Sequence, residues 1–202
     1  MNIYKSDLIS LLKEVSKYFK QKVTMVAVGG TALTLLDLKD STIDIDFDIP
    51  FNKDYEIITN TFNDLGFSKT SSFSWDTSPV YQYRFYLFKA GYIFSTQLTQ
   101  DSNKNSIQIL KTRKLALLCL NPLDLIITKL FRSAKRDIDD SIICFEHFHI
   151  NALELINQYM ETFKISMHSL DLAKSNIEYF LRLIKTDKET NKQCQKLIKT
   201  WH

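Results

Sequence analysis

The stretch "VGGTALTLLDLKDSTIDIDFDI", Val28 to Ile49, constrains this chain more than any other. Its second half alternates strictly. Ile43, Ile45, Phe47 and Ile49 fall on one side, and Thr42, Asp44, Asp46 and Asp48 on the other, which predicts a strand over 42–49 with one apolar and one polar face. Just upstream, the short apolar run Val23 to Val28 (VTMVAV) ends at Gly29-Gly30 in a chain that has only four glycines. That pattern reads as a buried strand breaking into a turn, with helical spacing resuming over Thr31 to Leu38.

Two readings of this stretch compete. A glycine pair between a strand and a helix lets backbone N–H groups approach an anion, with the positive end of the helix dipole aimed at the same place. The bland alternative is a tight turn and nothing more. Asp44 and Asp46, two apart on a strand, lie roughly 6.6–6.8 Å apart along its axis and face the same way, so they can converge on a hard divalent cation. Asp48 lies about 13 Å beyond Asp44 at that rise, which makes it a solvated or secondary residue. The alternative here is an exposed strand face kept soluble by three like charges, although aspartate is disfavoured in strands and adjacent like charges repel.

The remaining pattern is mixed at first and then helical. Ser6 to Phe19 and Asp54 to Leu65, the latter closed by Gly66, read as helices. Tyr81 to Phe88 and Tyr92 to Leu98 read as a hairpin across Lys89-Ala90-Gly91, with a further strand over Ser106 to Leu110. After Asn121, with Pro122 at a first helical position, helices are expected over Pro122 to Phe131, Arg136 to His147, Ala152 to Phe163, Leu170 to Ile184 and Lys188 to Trp201. The expected organisation is an α/β domain over 1–120 and a helical region over 121–202 packed on it.

Composition excludes several classes. An apolar content of 45% supports a packed core. No run approaches the length of a membrane span, and the charged N-terminus is unlike a signal peptide, so a cytoplasmic protein is expected. Cys119, Cys144 and Cys194 are too scattered for a disulfide framework or a cysteine-rich zinc site. His147 and His149 match no zinc motif. The net charge of +3 is modest but uneven: Lys111, Arg113, Lys114, Lys129, Arg132, Lys135 and Arg136 face a single acid, Asp124, over that span.

With these residues in view, "VGGTAL", a thirteen-residue spacer from Gly30 to Asp44, and "STIDIDF" resemble the nucleotidyltransferase superfamily with the DNA polymerase β-like fold. The likeness is greatest to its minimal bacterial and archaeal branches, including the abortive-infection AbiEii-type toxins. The block "NPLDLIITKLFRSAKRDIDD" is similar to a helical segment of those proteins, with Lys129, Arg132, Arg136, Asp137 and Asp140 in matching places. The resemblance covers roughly 23–140. It implies an α+β fold, a mixed sheet flanked by helices and followed by a C-terminal helical region.

The resemblance also implies a chemistry: transfer of a nucleoside monophosphate from a nucleoside triphosphate to an acceptor hydroxyl, with pyrophosphate leaving. Gly29, Gly30 and Thr31 would then hold the phosphates through N–H groups and one hydroxyl, and Asp44 and Asp46 would hold Mg²⁺ or Mn²⁺. Lys129 would neutralise the triphosphate, while Arg132, Asp137 and Asp140 would contact the nucleotide or Lys129. On helical spacing alone the last group reads equally as a surface salt-bridge network. RNA, particularly tRNA, is the favoured acceptor, with a protein side chain or an aminoglycoside as alternatives, and a toxin–antitoxin partner is implied. One departure stands out. "YRFYLF" has Tyr86 where such enzymes carry a third carboxylate, so a nucleotide-binding regulatory protein that retains the fold without the catalysis is the competing reading.

Overall fold

A computed structural model describes residues 2–77, 83–99 and 102–201. In chain order its elements are β1 (Ile3–Tyr4), α1 (Lys5–Ser16), β2 (Val23–Ala27), α2 (Gly29–Leu35), β3 (Ser41–Thr42), β4 (Ile45–Ile49) and α3 (Asn52–Asp64). Then come β5 (Ser68–Lys69), β6 (Ser74–Asp76), β7 (Arg84–Lys89), β8 (Tyr92–Ile93), β9 (Thr96–Gln97), a short 3₁₀ turn, β10 (Ile107–Lys111) and β11 (Leu115–Cys119). The last five are helices: α4 (Pro122–Arg132), α5 (Lys135–His147), α6 (Ala152–Lys164), α7 (Leu170–Leu183) and α8 (Lys188–Thr200). The fold is mixed α+β, as expected. The chain forms two compact units, one of Met1–Ile93 with Gln100–Asn121 and one of Phe94–Thr99 with Pro122–His202.

The first unit is built on a mixed sheet in the order β10-β11-β2-β4-β7-β6-β5. Strand β2 pairs parallel with β11 and antiparallel with β4, and β4 pairs parallel with β7. The apolar side of β4 gives Ile45, Phe47 and Ile49 to the core, where β7 adds Phe85 and Leu87. Helix α3 closes over this side, placing Phe62 against Phe85 at 5.0 Å and Trp75 at 5.9 Å between ring centroids. It ends as its sequence predicts. Gly66, at φ 76°, donates to the Asn63 carbonyl and Phe67 to that of Phe62, and the rings of Phe62 and Phe67 meet across the cap at 4.8 Å.

Three sequence expectations need correcting. The strand over 42–49 is broken: Thr42 belongs to β3 and pairs with Ile3, residues 43–44 bend, and β4 begins only at Ile45. Ile43 is therefore 57% exposed rather than on the core face. The apolar run of β11 was not anticipated as a strand, because its alanine and leucines carry neither period-2 alternation nor β-branching. The second strand of the expected hairpin is also cut short. Ala90 and Gly91 make the turn at φ 50° and 79°, but Phe94 and Ser95, at φ 47° and 70°, end β8 after two residues. Of the first strand, 81–82 lie outside the described residues.

In the second unit α4 packs on α5, α6 and α7, and α6 on α8. Tyr159, fully buried, stacks on Phe131 at 4.3 Å and hydrogen-bonds the Ala173 carbonyl. Asn151, Ser169 and Asp187 cap the N-termini of α6, α7 and α8 with their side chains. No helix among the described residues is long and apolar enough to cross a membrane.

Asp48, expected to be solvated, is instead fully buried in the middle of β4. Its Oδ1 accepts the Gly91 N–H at 3.0 Å, bracing the β7–β8 turn, while Oδ2 has no partner. Burial pushes this carboxyl up from an ordinary 3.8 to about 6, against the opposing pull of the Gly91 hydrogen bond. The folded chain thus holds the proton more tightly than the unfolded chain does. The contribution of Asp48 to stability is therefore greatest below about pH 4 and falls by about 3 kcal/mol as pH rises through about 6. Asp48→Asn keeps the acceptor for Gly91 and should flatten this part of the pH profile, as measured by urea midpoints on both proteins.

Candidate active site

The site residues of the first unit are joined by one hydroxyl. Val28 is extended, Gly29 turns the chain at φ 55°, a left-handed value that glycine adopts without a Cβ penalty, and α2 starts there. Behind the helix start, Thr31 is completely buried. Its Oγ1 accepts the Asp46 N–H at 2.9 Å and donates to the Asp44 carbonyl at 3.1 Å. The Val28 N–H donates in turn to the Asp46 carbonyl at 3.1 Å. The glycine turn and the aspartate segment are therefore one hydrogen-bonded piece. Thr31 was expected to offer its hydroxyl to phosphate; it is committed to the backbone instead.

Thr42 completes the arrangement, a role that no sequence motif signals. Its Oγ1 donates to the same Asp44 carbonyl at 2.9 Å, so two threonines grip one oxygen and hold the bend at 43–44. Gly30 leaves room for this. A Cβ on Gly30 would sit 2.9 Å from Thr42 Oγ1, closer than real Cβ atoms come to a neighbour. The second glycine of the pair thus serves the carboxylate segment as well as the turn. No side chain caps α2, which leaves the N–H groups of its first turn open to another acceptor.

The bend decides how the carboxylates present themselves. Asp44, outside the regular strand, is half-buried, whereas Asp46, inside β4, is only 7% exposed. Tyr86 lies on β7 directly in register with Asp46, beside Arg84, whose guanidinium pairs in bidentate fashion with Asp76 at 2.7 and 2.9 Å. The place next to Asp46 on the neighbouring strand is thus held by a phenol. No group of three or more histidine, cysteine, aspartate or glutamate side chains able to hold a metal occurs among the described residues.

The other predicted residues assemble in the second unit. Ser133, at φ 52°, makes the tight corner between α4 and α5, which brings Lys129 and Arg132 against Asp137 and Asp140. Lys129 is 2% exposed, with Nζ 2.7 Å from Asp140 Oδ2 and 3.5 Å from Asp137 Oδ1. Arg132 donates to both oxygens of Asp137, at 2.6 and 3.2 Å, and lies 4.0 Å from the Phe94 ring. Two cations meet two carboxylates; Lys129, Asp137 and Asp140 are buried, and Arg132 reaches them from the exposed side. Arg136, the fifth residue of that block, is exposed.

A family model described as "Nucleotidyltransferase of unknown function (DUF6036)" matches residues 6–180. The chain belongs to this family. The DUF6036 match takes in both constellations, and the chain is a nucleotidyltransferase on that basis. Among solved structures, ANT(2")-Ia in complex with adenylyl-2"-tobramycin aligns over 78% of this chain and 95% of its own, at 11% identity and a TM-score of 0.55. An antigenic nucleotidyltransferase-like protein from Paracoccidioides brasiliensis aligns over 72% and 78%, at 15% identity and a TM-score of 0.47. JHP933 from Helicobacter pylori aligns over 98% and 91%, at 16% and 0.46. At such identities the likeness is one of fold, and among these three the first carries it. No curated protein sequence matches the chain.

Two outcomes follow from this geometry. Gly30→Ala should cost about 1–3 kcal/mol, because Thr42 is held in place by the Asp44 carbonyl and cannot easily give way. The cost should shrink when Thr42→Ala is added, an interaction that a double-mutant cycle of denaturation midpoints measures. Asp140→Ala leaves a buried ammonium without its nearer partner and should cost about 3–5 kcal/mol, read by the same method.

Proposed function

We propose that this DUF6036 chain transfers a nucleoside monophosphate from a nucleoside triphosphate to an acceptor hydroxyl, with Mg²⁺ or Mn²⁺ bound and pyrophosphate leaving. The observation that carries the reading is the Thr31 hydroxyl, which ties an uncapped helix start at a glycine turn to two aspartates in one rigid piece. An anion-binding turn and a carboxylate pair held in a fixed mutual position are what a metal–triphosphate needs.

The donor set suits such a metal. Asp44 and Asp46 supply hard oxygen ligands, and Mg²⁺ is commonly held by one or two carboxylates with substrate phosphates and water filling the remaining positions. When bound, it supplies charge stabilisation at the phosphoryl oxygens and lowers the acceptor's pKa. In this reading the first-turn N–H groups at Gly29 and Gly30 bind the terminal phosphates, and Thr31 and Thr42 act as positioning residues through the Asp44 carbonyl. Lys129 is the centre of an ion-pair corner that fixes Arg132 and Asp137 in the second unit.

Asp44→Ala with Asp46→Ala should lower transfer by at least about a thousandfold, since removing the metal's ligands forfeits several kcal/mol of transition-state stabilisation. The test is transfer of α-labelled nucleoside triphosphates to RNA, protein and an aminoglycoside, alongside calorimetry of nucleotide binding with and without Mg²⁺. The aminoglycoside belongs in the screen because the fold neighbour was solved with adenylyl-2"-tobramycin. Wild-type rates in the double variant sink the site assignment. Mg²⁺-dependent binding without transfer to any acceptor favours the regulatory reading, in which Tyr86 beside Asp46 has replaced the acceptor-activating acid.

A further inference from the structure

The run of basic residues from Lys111 to Arg136 is not one surface. Lys129 and Arg132 are consumed by the ion-pair corner of the second unit. Lys111, Arg113 and Lys114 sit instead in the first unit, at the β10–β11 turn, and meet cations from a different part of the chain. A groove of about 510 Å³ is lined there by Lys13, Ser16, Lys17, Thr112, Arg113 and Lys114. Lys20 and Lys22, both exposed, follow in the connection to β2, and the Val23 N–H donates to the Lys114 carbonyl.

Such a gathering of like charge repels itself, and its internal compensation is small. Lys17 pairs with Glu14, and Asp54 is occupied with the Thr24 N–H at 2.8 Å. Lys114 Nζ donates to the Lys17 carbonyl at 2.9 Å, which satisfies the C-terminal end of α1 and welds the turn to the helix. Lys13 and Arg113 line the groove with nothing but solvent to offset them among the described residues. A groove whose lining holds Lys13, Lys17, Arg113 and Lys114, with Lys17 alone ion-paired among the described residues and no carboxylate among the lining residues, calls for an external polyanion.

We propose that this groove binds the phosphate backbone of a single-stranded RNA, the acceptor of the transfer reaction, so the inference rests on the activity proposed above. The placement supports that occupant. The groove lies at the start of β2 and the glycine turn at its end. Five residues at about 3.3 Å each separate Val23 from Val28, about 17 Å, which equals the rise of about five stacked nucleotides. An RNA held by its backbone at the basic end can therefore span that distance to present a terminal hydroxyl, with a phosphate at every linkage for the lining cations.

The test uses the full chain and a fluorescein-labelled single-stranded RNA, titrated at several salt concentrations. The wild type should bind with an affinity that falls steeply with salt. Lys13→Ala with Arg113→Ala should weaken binding at least about tenfold and reduce the salt slope by about 1.4, about 0.7 for each phosphate that is no longer neutralised. Lys13→Arg with Arg113→Lys should keep both. Calorimetry of nucleoside triphosphate binding on the same proteins should be unchanged, so failure of the nucleotide site is read separately from failure of the groove. An absence of RNA binding in the wild type, an unaltered slope in the alanine variant, or equal binding of a polyglutamate of similar charge would each overturn the proposal.

Discussion

The Thr31 hydroxyl is the interaction on which the first unit's candidate chemistry depends. One buried oxygen, accepting from Asp46 and donating to Asp44, converts two separate sequence motifs into a single object. Its burial is what makes it effective, since in a water-poor setting a satisfied pair of hydrogen bonds is strong and an unsatisfied one costly. The bend it maintains with Thr42 has two effects. It lets Asp44 leave the strand toward water, and it keeps Asp46 within the ladder between β2 and β7.

Buried charge is handled in two ways in this protein. At the α4–α5 corner the carboxylates and cations are matched, with Lys129 set directly against Asp140. In β4, Asp48 is met by backbone N–H groups and keeps one oxygen without a partner, and desolvation wins, raising its pKa. The contrast shows why three aspartates at period-2 spacing do not share a role. Each one's chemistry is set by what the neighbouring elements bring to it.

Much of the frame was legible from sequence. The Gly29-Gly30 break, the Gly66 cap, Pro122 opening α4 and the five C-terminal helices all follow from local chemistry that acts within a turn or two. The Lys129, Arg132, Asp137 and Asp140 grouping was visible as helical spacing, and the contacts among them were one of two readings. The exposure of Ile43, the burial of Asp48 and the role of Thr42 were not legible. They depend on β1 pairing with Thr42 and on the Gly91 turn meeting β4, contacts between residues some forty positions apart.

The sequence by itself determined the element types, the glycine turn and the candidate aspartates, because backbone preference and apolar periodicity are local properties. Tertiary structure alone decided which of those aspartates reaches water, which is buried as a brace, and that the second glycine must lack a side chain. It also divided the basic run between an internal ion-pair corner and an open groove, because a charge's function depends on which counter-charges the fold brings within reach, and linear spacing does not contain that information.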